Sequence, residues 1–122
     1  MTMAERLSDH ERELLPLVVD ILKDRRGRGM ELSAAMVCQA LRRHGYHCDG
    51  VMVRRIVSHI RTECVIPCLV ADGNGYYVAL TREDMDACIS SLAGRVEAIN
   101  EVIQALTAQR DVRFNRTNDL FT

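Results

Sequence analysis

The sequence predicts a mainly α-helical chain with one small β-hairpin, an α+β fold followed by a long C-terminal coiled-coil-like helix, and three observations carry that expectation. Apolar residues recur at helical spacing in three short segments before residue 63. A run of β-branched and aromatic residues is interrupted by Asp72-Gly73-Asn74-Gly75. A seven-residue apolar repeat then extends from Met85 to Leu106.

The first helix is announced by Ser8-Asp9-His10-Glu11, a capping-box pattern, with Leu14, Leu15, Leu17, Val18, Ile21 and Leu22 continuing to Lys23. Pro16 lies inside this run, where it removes a hydrogen bond and crowds the previous turn, so a kink or restart is expected there. Arg25-Arg26-Gly27-Arg28-Gly29 ends the helix, and Met30-Glu31-Leu32 has room for a three-residue strand. Ser33 caps a second helix, Ala34 to Arg43, with Met36, Val37, Ala40 and Leu41 as its buried stripe and Gly45 as its stop. Asp49 caps a third, from Gly50 to Thr62, whose apolar face is Val53, Ile56, Val57 and Ile60.

Beyond Val65 the pattern is that of a strand from Ile66 to Ala71, a four-residue turn supplying positive φ angles, and a second strand from Tyr76 to Leu80. Tyr76 and Tyr77 alternate faces, one toward the core. Thr81 caps a last helix reaching about Gln109, with Glu83 and Asp84 near its positive end. Residues 111–122, polar and aperiodic apart from Phe114 and Phe121, read as a flexible tail. The chain thus divides into 1–82, 83–110 and 111–122.

Helix, short strand, helix, turn, helix and hairpin, in that order, is the order of a winged helix-turn-helix domain. Val53-Arg54-Arg55-Ile56-Val57, Ile60-Arg61, Ile66-Pro67-Cys68 and Gly75-Tyr76-Tyr77-Val78-Ala79 resemble the corresponding segments of small winged-helix proteins of prophage and bacterial origin. There a helix ending in Ile-Arg leads to an Ile-Pro strand, the wing closes on Gly-Tyr-Tyr, and a long helix follows. The chain is more loosely similar to PadR-type regulators, which append a dimerising helix to a winged helix. These motifs dictate architecture more than biological role.

With 48% hydrophobic and 27% charged residues in 122, the chain has the balance of a globular domain plus one appended element. The N-terminal Met-Thr-Met-Ala-Glu-Arg has no apolar run after it, and no stretch is long enough to span a bilayer. Five cysteines, an odd number without a secretion signal, read as thiols in a reducing compartment, so a cytoplasmic location is expected. The formal charge of −1 conceals a strong asymmetry: residues 25–62 hold eight basic and two acidic groups, and both flanking segments are acidic. A basic band of this kind suits a polyanion, although an ordinary solvated face reads similarly.

On a helical wheel Val51, Arg54, Arg55, Ser58, Arg61 and Thr62 share the face of the third helix opposite its apolar residues. Arginine bonds guanine bidentately or clamps phosphate, and small side chains permit close approach, so this face is expected to read double-stranded DNA. Arg42 and Arg43 stand beside it at the end of the second helix. At the hairpin tip Asp72 repels phosphate, which leaves either contact at the minor-groove edge through Asn74 or backbone amides, or no contact of the wing with DNA at all.

Rival chemistry is weaker. His44, Cys48, Cys64 and Cys68 could be arranged as zinc ligands, but their spacing is not that of common sites, and a free cysteine usually fills space as a small hydrophobe. Gly27-Arg28-Gly29 lacks the remainder of a phosphate-loop fingerprint, and His10, His47 and His59 are scattered. No metal, no cofactor and no catalysis are expected; no residue pattern names a small-molecule effector.

Met85, Ile89, Leu92, Val96, Ile99, Ile103 and Leu106 alternate spacings of four and three, a heptad seam about 33 Å long at 1.5 Å per residue. Such a helix either folds back along its own domain or pairs with another; the strict period argues for a second copy. The expected protein is a homodimeric, sequence-specific DNA-binding protein, a transcriptional regulator or a phage-type accessory DNA protein. Its rival is a protein-interaction module built on the same fold.

Overall fold

The computed structural model describes residues 6–115. Ser8 and Glu11 close a reciprocal capping box, Glu11 N–H donating to Ser8 Oγ (3.1 Å) and Ser8 N–H to Glu11 Oε1 (2.9 Å). From this cap runs α1 (Asp9–Leu22), which buries Leu14, Val18 and Leu22 at four-residue steps. The restart expected at Pro16 does not occur, for the helix continues unbroken through it. Pro16 and Arg12 both lie on the exposed side, so the carbonyl deprived of its donor faces water, while the buried stripe holds the turns together.

Ser33 Oγ accepts the Met36 N–H (3.2 Å) and opens α2 (Ala34–Arg43). Its buried stripe is Val37, Cys38 and Leu41; Met36, expected inside, is 51% exposed, and Ala40 is half-buried. A stripe one residue further along fits the packing because each step turns the helix by 100°. Gly45, at φ +85°, ends the helix with its N–H on Arg42 O. Asp49 Oδ1 then accepts the Met52 N–H (2.9 Å) to cap α3 (Gly50–Thr62), where Val53, Ile56, Val57 and Ile60 are all buried. These three apolar faces converge with Cys48, Ile66, Leu69 and Val78 on one core.

The hairpin pairs β1 (Leu69–Asp72) with β2 (Gly75–Val78), Leu69 opposite Val78 and Asp72 opposite Gly75. It is shorter than expected. Ile66-Pro67-Cys68 lies in turns, because Pro67 has no N–H to give a ladder and Cys64 and Cys68 adopt left-handed φ angles of 54° and 63°. The turn comprises only Gly73 and Asn74, since Asp72 Oδ1 accepts both the Asn74 N–H (2.8 Å) and the Gly75 N–H (3.2 Å). Of the four residues Asp72 to Gly75, only Gly75, already in β2, takes a positive φ, +138°. The strand expected at residues 30–32 contracts to one bridge, in which Leu32 and Tyr76 exchange N–H···O bonds of 3.0 and 2.8 Å. Gly75 permits that approach: a Cβ there would stand 2.4 Å from the Leu32 carbonyl.

Thr81 Oγ1 accepts the Asp84 N–H (3.1 Å) at the start of α4 (Arg82–Arg110). A π-helical turn, Asp111–Asn115, follows α4, with Arg110 paired to Asp111; the rest of the expected tail, residues 116–122 with Phe121, lies outside the described residues. The chain forms two compact units, one ending at Cys88 and one beginning at Ile89. In the second, Ile89, Leu92, Val96, Ile99, Ile103 and Leu106 are each 43–58% exposed. Met85, in the first, is half-buried. Among the described residues no helix is long and apolar enough to cross a membrane.

Candidate nucleic-acid interface

The loop between α2 and α3 is fastened by three side chains, one from α1 and two from α2. His10 of α1 hydrogen-bonds the His47 carbonyl through Nε2 (2.6 Å), and the two rings stack with centroids 6.1 Å apart. Arg42 Nε donates to Cys48 O (2.9 Å), while the buried Cys38 and Cys48 sulfurs touch at 3.7 Å. Burial, with the Cys38 contact adding to it, pushes the Cys48 thiol up to about 12, so it stays protonated. The loop is thereby tied to both α1 and α2.

On the outer face of α3 the structure brings together Val51, Arg54, Ser58 and Thr62, all exposed and spaced three or four residues apart. Thr62 Oγ1 donates back to Ser58 O (3.0 Å), leaving its lone pairs outward. Arg54 lies back over the first turn beside Gly50 and makes no hydrogen bond or ion pair among the described residues. Arg43 is likewise exposed at the end of α2. No acid occurs on α3 between its cap Asp49 and Glu63.

Two arginines expected on this face are committed elsewhere. Arg55 Nε contacts both oxygens of the buried Glu11 carboxylate (3.3 and 3.0 Å), and its Nη2 donates to Arg6 O (2.7 Å). Arg61 Nε donates to Leu69 O (3.0 Å), and its guanidinium carbon lies 5.8 Å from the Tyr76 ring centroid. Its Nη2 is buried without a hydrogen-bond partner among the described residues, so the ring face is what it has in exchange for water. Arg61 therefore joins α3 to both strands of the hairpin. Asn74 is exposed at the hairpin tip beside the Asp72 carboxylate.

No protein-family model, no curated protein and no solved structure matches the chain.

A helical wheel could not separate free arginines from committed ones, because their partners come from distant segments: Glu11 for Arg55, Leu69 and Tyr76 for Arg61. The sequence reasoning also missed a second cluster. Arg28 Nε pairs with the buried Asp84 carboxylate (2.7 Å), and Tyr77 and Asp84 together hold the Arg28 guanidinium above its ordinary value. A cleft of about 460 Å³ opens beside this pair, lined by Gly27, Leu80, Thr81 and Glu83 as well. Its one hydroxyl, on Thr81, is occupied by the helix cap, and its buried carboxylate is neutralised by arginine. Among the described residues no three of His, Cys, Asp and Glu are gathered as metal ligands.

Proposed function

We propose that the N-terminal unit is a winged helix-turn-helix domain that binds double-stranded DNA, with α3 in the major groove and β1–β2 as its wing. One observation carries this reading: α3 turns an acid-free outer face to solvent, with Arg54 unpaired among the described residues between the apolar Val51 and the hydroxyls of Ser58 and Thr62. An arginine of that kind is available to the O6 and N7 edge of guanine, and the valine methyls suit thymine. Arg42 and Arg43 supply positive charge for phosphate, which positions without reading sequence, whereas the hairpin-turn amides of Asn74 and Gly75 are already taken by the Asp72 carboxylate. A transcriptional regulator or a phage-type accessory DNA protein would use such a surface.

The commitment of Arg55 and Arg61 to internal partners, with Asp72 at the wing tip, favours a second reading, a protein-docking module on the same fold. Fluorescence anisotropy of a labelled random-sequence duplex, titrated at two salt concentrations, separates the two. DNA binding through phosphates weakens steeply with salt. Absence of binding at low salt would refute the DNA reading and leave the docking module.

A further inference from the structure

We propose that Ile89–Leu106 pairs with a second copy of this chain as a parallel, two-stranded coiled coil. The exposed seam falls into two layers with different shapes. Ile89, Val96 and Ile103, seven residues apart, are all β-branched, whereas Leu92, Ile99 and Leu106 are leucine at two of three positions. β-Branched side chains in the first layer over leucine in the second favour two parallel strands rather than three or four.

Charge and area point to the same occupant. The residues flanking the seam, Ala93, Arg95, Asn100, Val102 and Thr107, include a single charge. A second copy therefore meets no row of like charges, and a strongly charged partner would find nothing to pair with. The six seam residues are 43–58% exposed, which leaves on the order of 100 Å² on each. Pairing two copies would take on the order of 1,200 Å² from water, the size at which specific interfaces begin. Val102, 58% exposed beside the seam, widens the apolar strip.

This pairing is independent of the DNA proposal, because its test reads mass. Sedimentation equilibrium of the full chain at micromolar concentration should give twice 13.8 kDa. The double variant Leu92→Asp, Ile99→Asp should give a single chain mass, and its circular dichroism melt should retain the transition of the unit ending at Cys88. For orientation, Leu92→Cys is placed in a chain whose Cys64, Cys68 and Cys88 are serine. A parallel coil sets residue 92 against its own copy, and mild oxidation should give a covalent dimer on a non-reducing gel. A single-chain mass for the natural sequence, a doubled mass surviving both aspartates, a threefold or fourfold mass, or failure of position 92 to cross-link would each overturn the proposal.

Discussion

The Arg55 guanidinium of α3 lies 3.0 Å from the Glu11 carboxylate of α1, and the same carboxylate accepts the Ser8 N–H that caps α1. One buried acid thus closes a helix end and anchors the helix that carries the candidate interface. The Glu11 side chain is 5% exposed and Arg55 37%, so solvent screens the pair from one side only. Glu11→Ala should cost about 2 kcal/mol, below the range for pairs buried on both sides. Urea denaturation of Glu11→Ala, Arg55→Ala and the double variant checks this. The double should lose less than the sum of the singles, and strict additivity would mean the two groups do not interact.

Arg54 and Arg55 are neighbours in sequence with opposite duties, which gives a paired test. Arg54→Ala should leave stability within about 0.5 kcal/mol and lower DNA affinity by about 1–3 kcal/mol. Arg55→Ala should do the reverse, lowering the melting point with a smaller effect on binding measured well below that melt. Anisotropy titrations and thermal melts on the same two samples decide it, and equal behaviour of the two variants would contradict the assignment.

Much of the fold was legible in the sequence because its signals are local. Ser8, Ser33 and Asp49 each cap the helix they announce, and the apolar faces of α1 and α3 sit where their periodicity puts them. What was not legible depended on contacts between distant segments. Leu32 meets Tyr76 as a bridge rather than a strand, Met36 yields its buried place to Cys38, and the three arginines of α3 divide into one without a partner among the described residues and two bound ones. A helical wheel records direction, whereas an arginine's long stem chooses among whatever acceptors the rest of the chain brings within reach.

Alkaline stability should report the Cys48 thiol. Burial and the Cys38 contact raise it to about 12 in the native chain, while the unfolded thiol ionises near its ordinary value of 9.0. A group whose native pKa is raised contributes stability below the unfolded value and loses it as pH climbs toward the native one. Between about pH 9 and 12 this single proton should therefore subtract about 1.4 kcal/mol per pH unit. Denaturation midpoints of the natural chain and Cys48→Ala across that range test the sign: the variant should start less stable and fall less steeply.

Gly75 offers a test of the hairpin. Its φ of +138° and the 2.4 Å approach of the Leu32 carbonyl to a Cβ leave alanine no room, and backbone is what would have to yield. Gly75→Ala should cost about 3 kcal/mol. Gly73→Ala, where nothing lies within 4 Å of the added carbon, serves as the control and should change stability by less than about 1 kcal/mol. Thermal melts of both suffice, and a tolerant position 75 would mean that residues 30–32 do not dock on β2 as described.

The ion pair of Arg28 with Asp84 determines where the molecule can be divided. A boundary drawn by helix prediction falls at residue 82 and would discard Asp84, stranding Arg28 and Tyr77 without the carboxylate they gather around and Thr81 without the amide it caps. A fragment carried to Cys88 keeps that clasp and still ends before the first exposed seam residue, Ile89. The first seven residues of α4, Arg82 to Cys88, thus act as the closing stitch of the N-terminal unit, and any graft onto another scaffold should take them along.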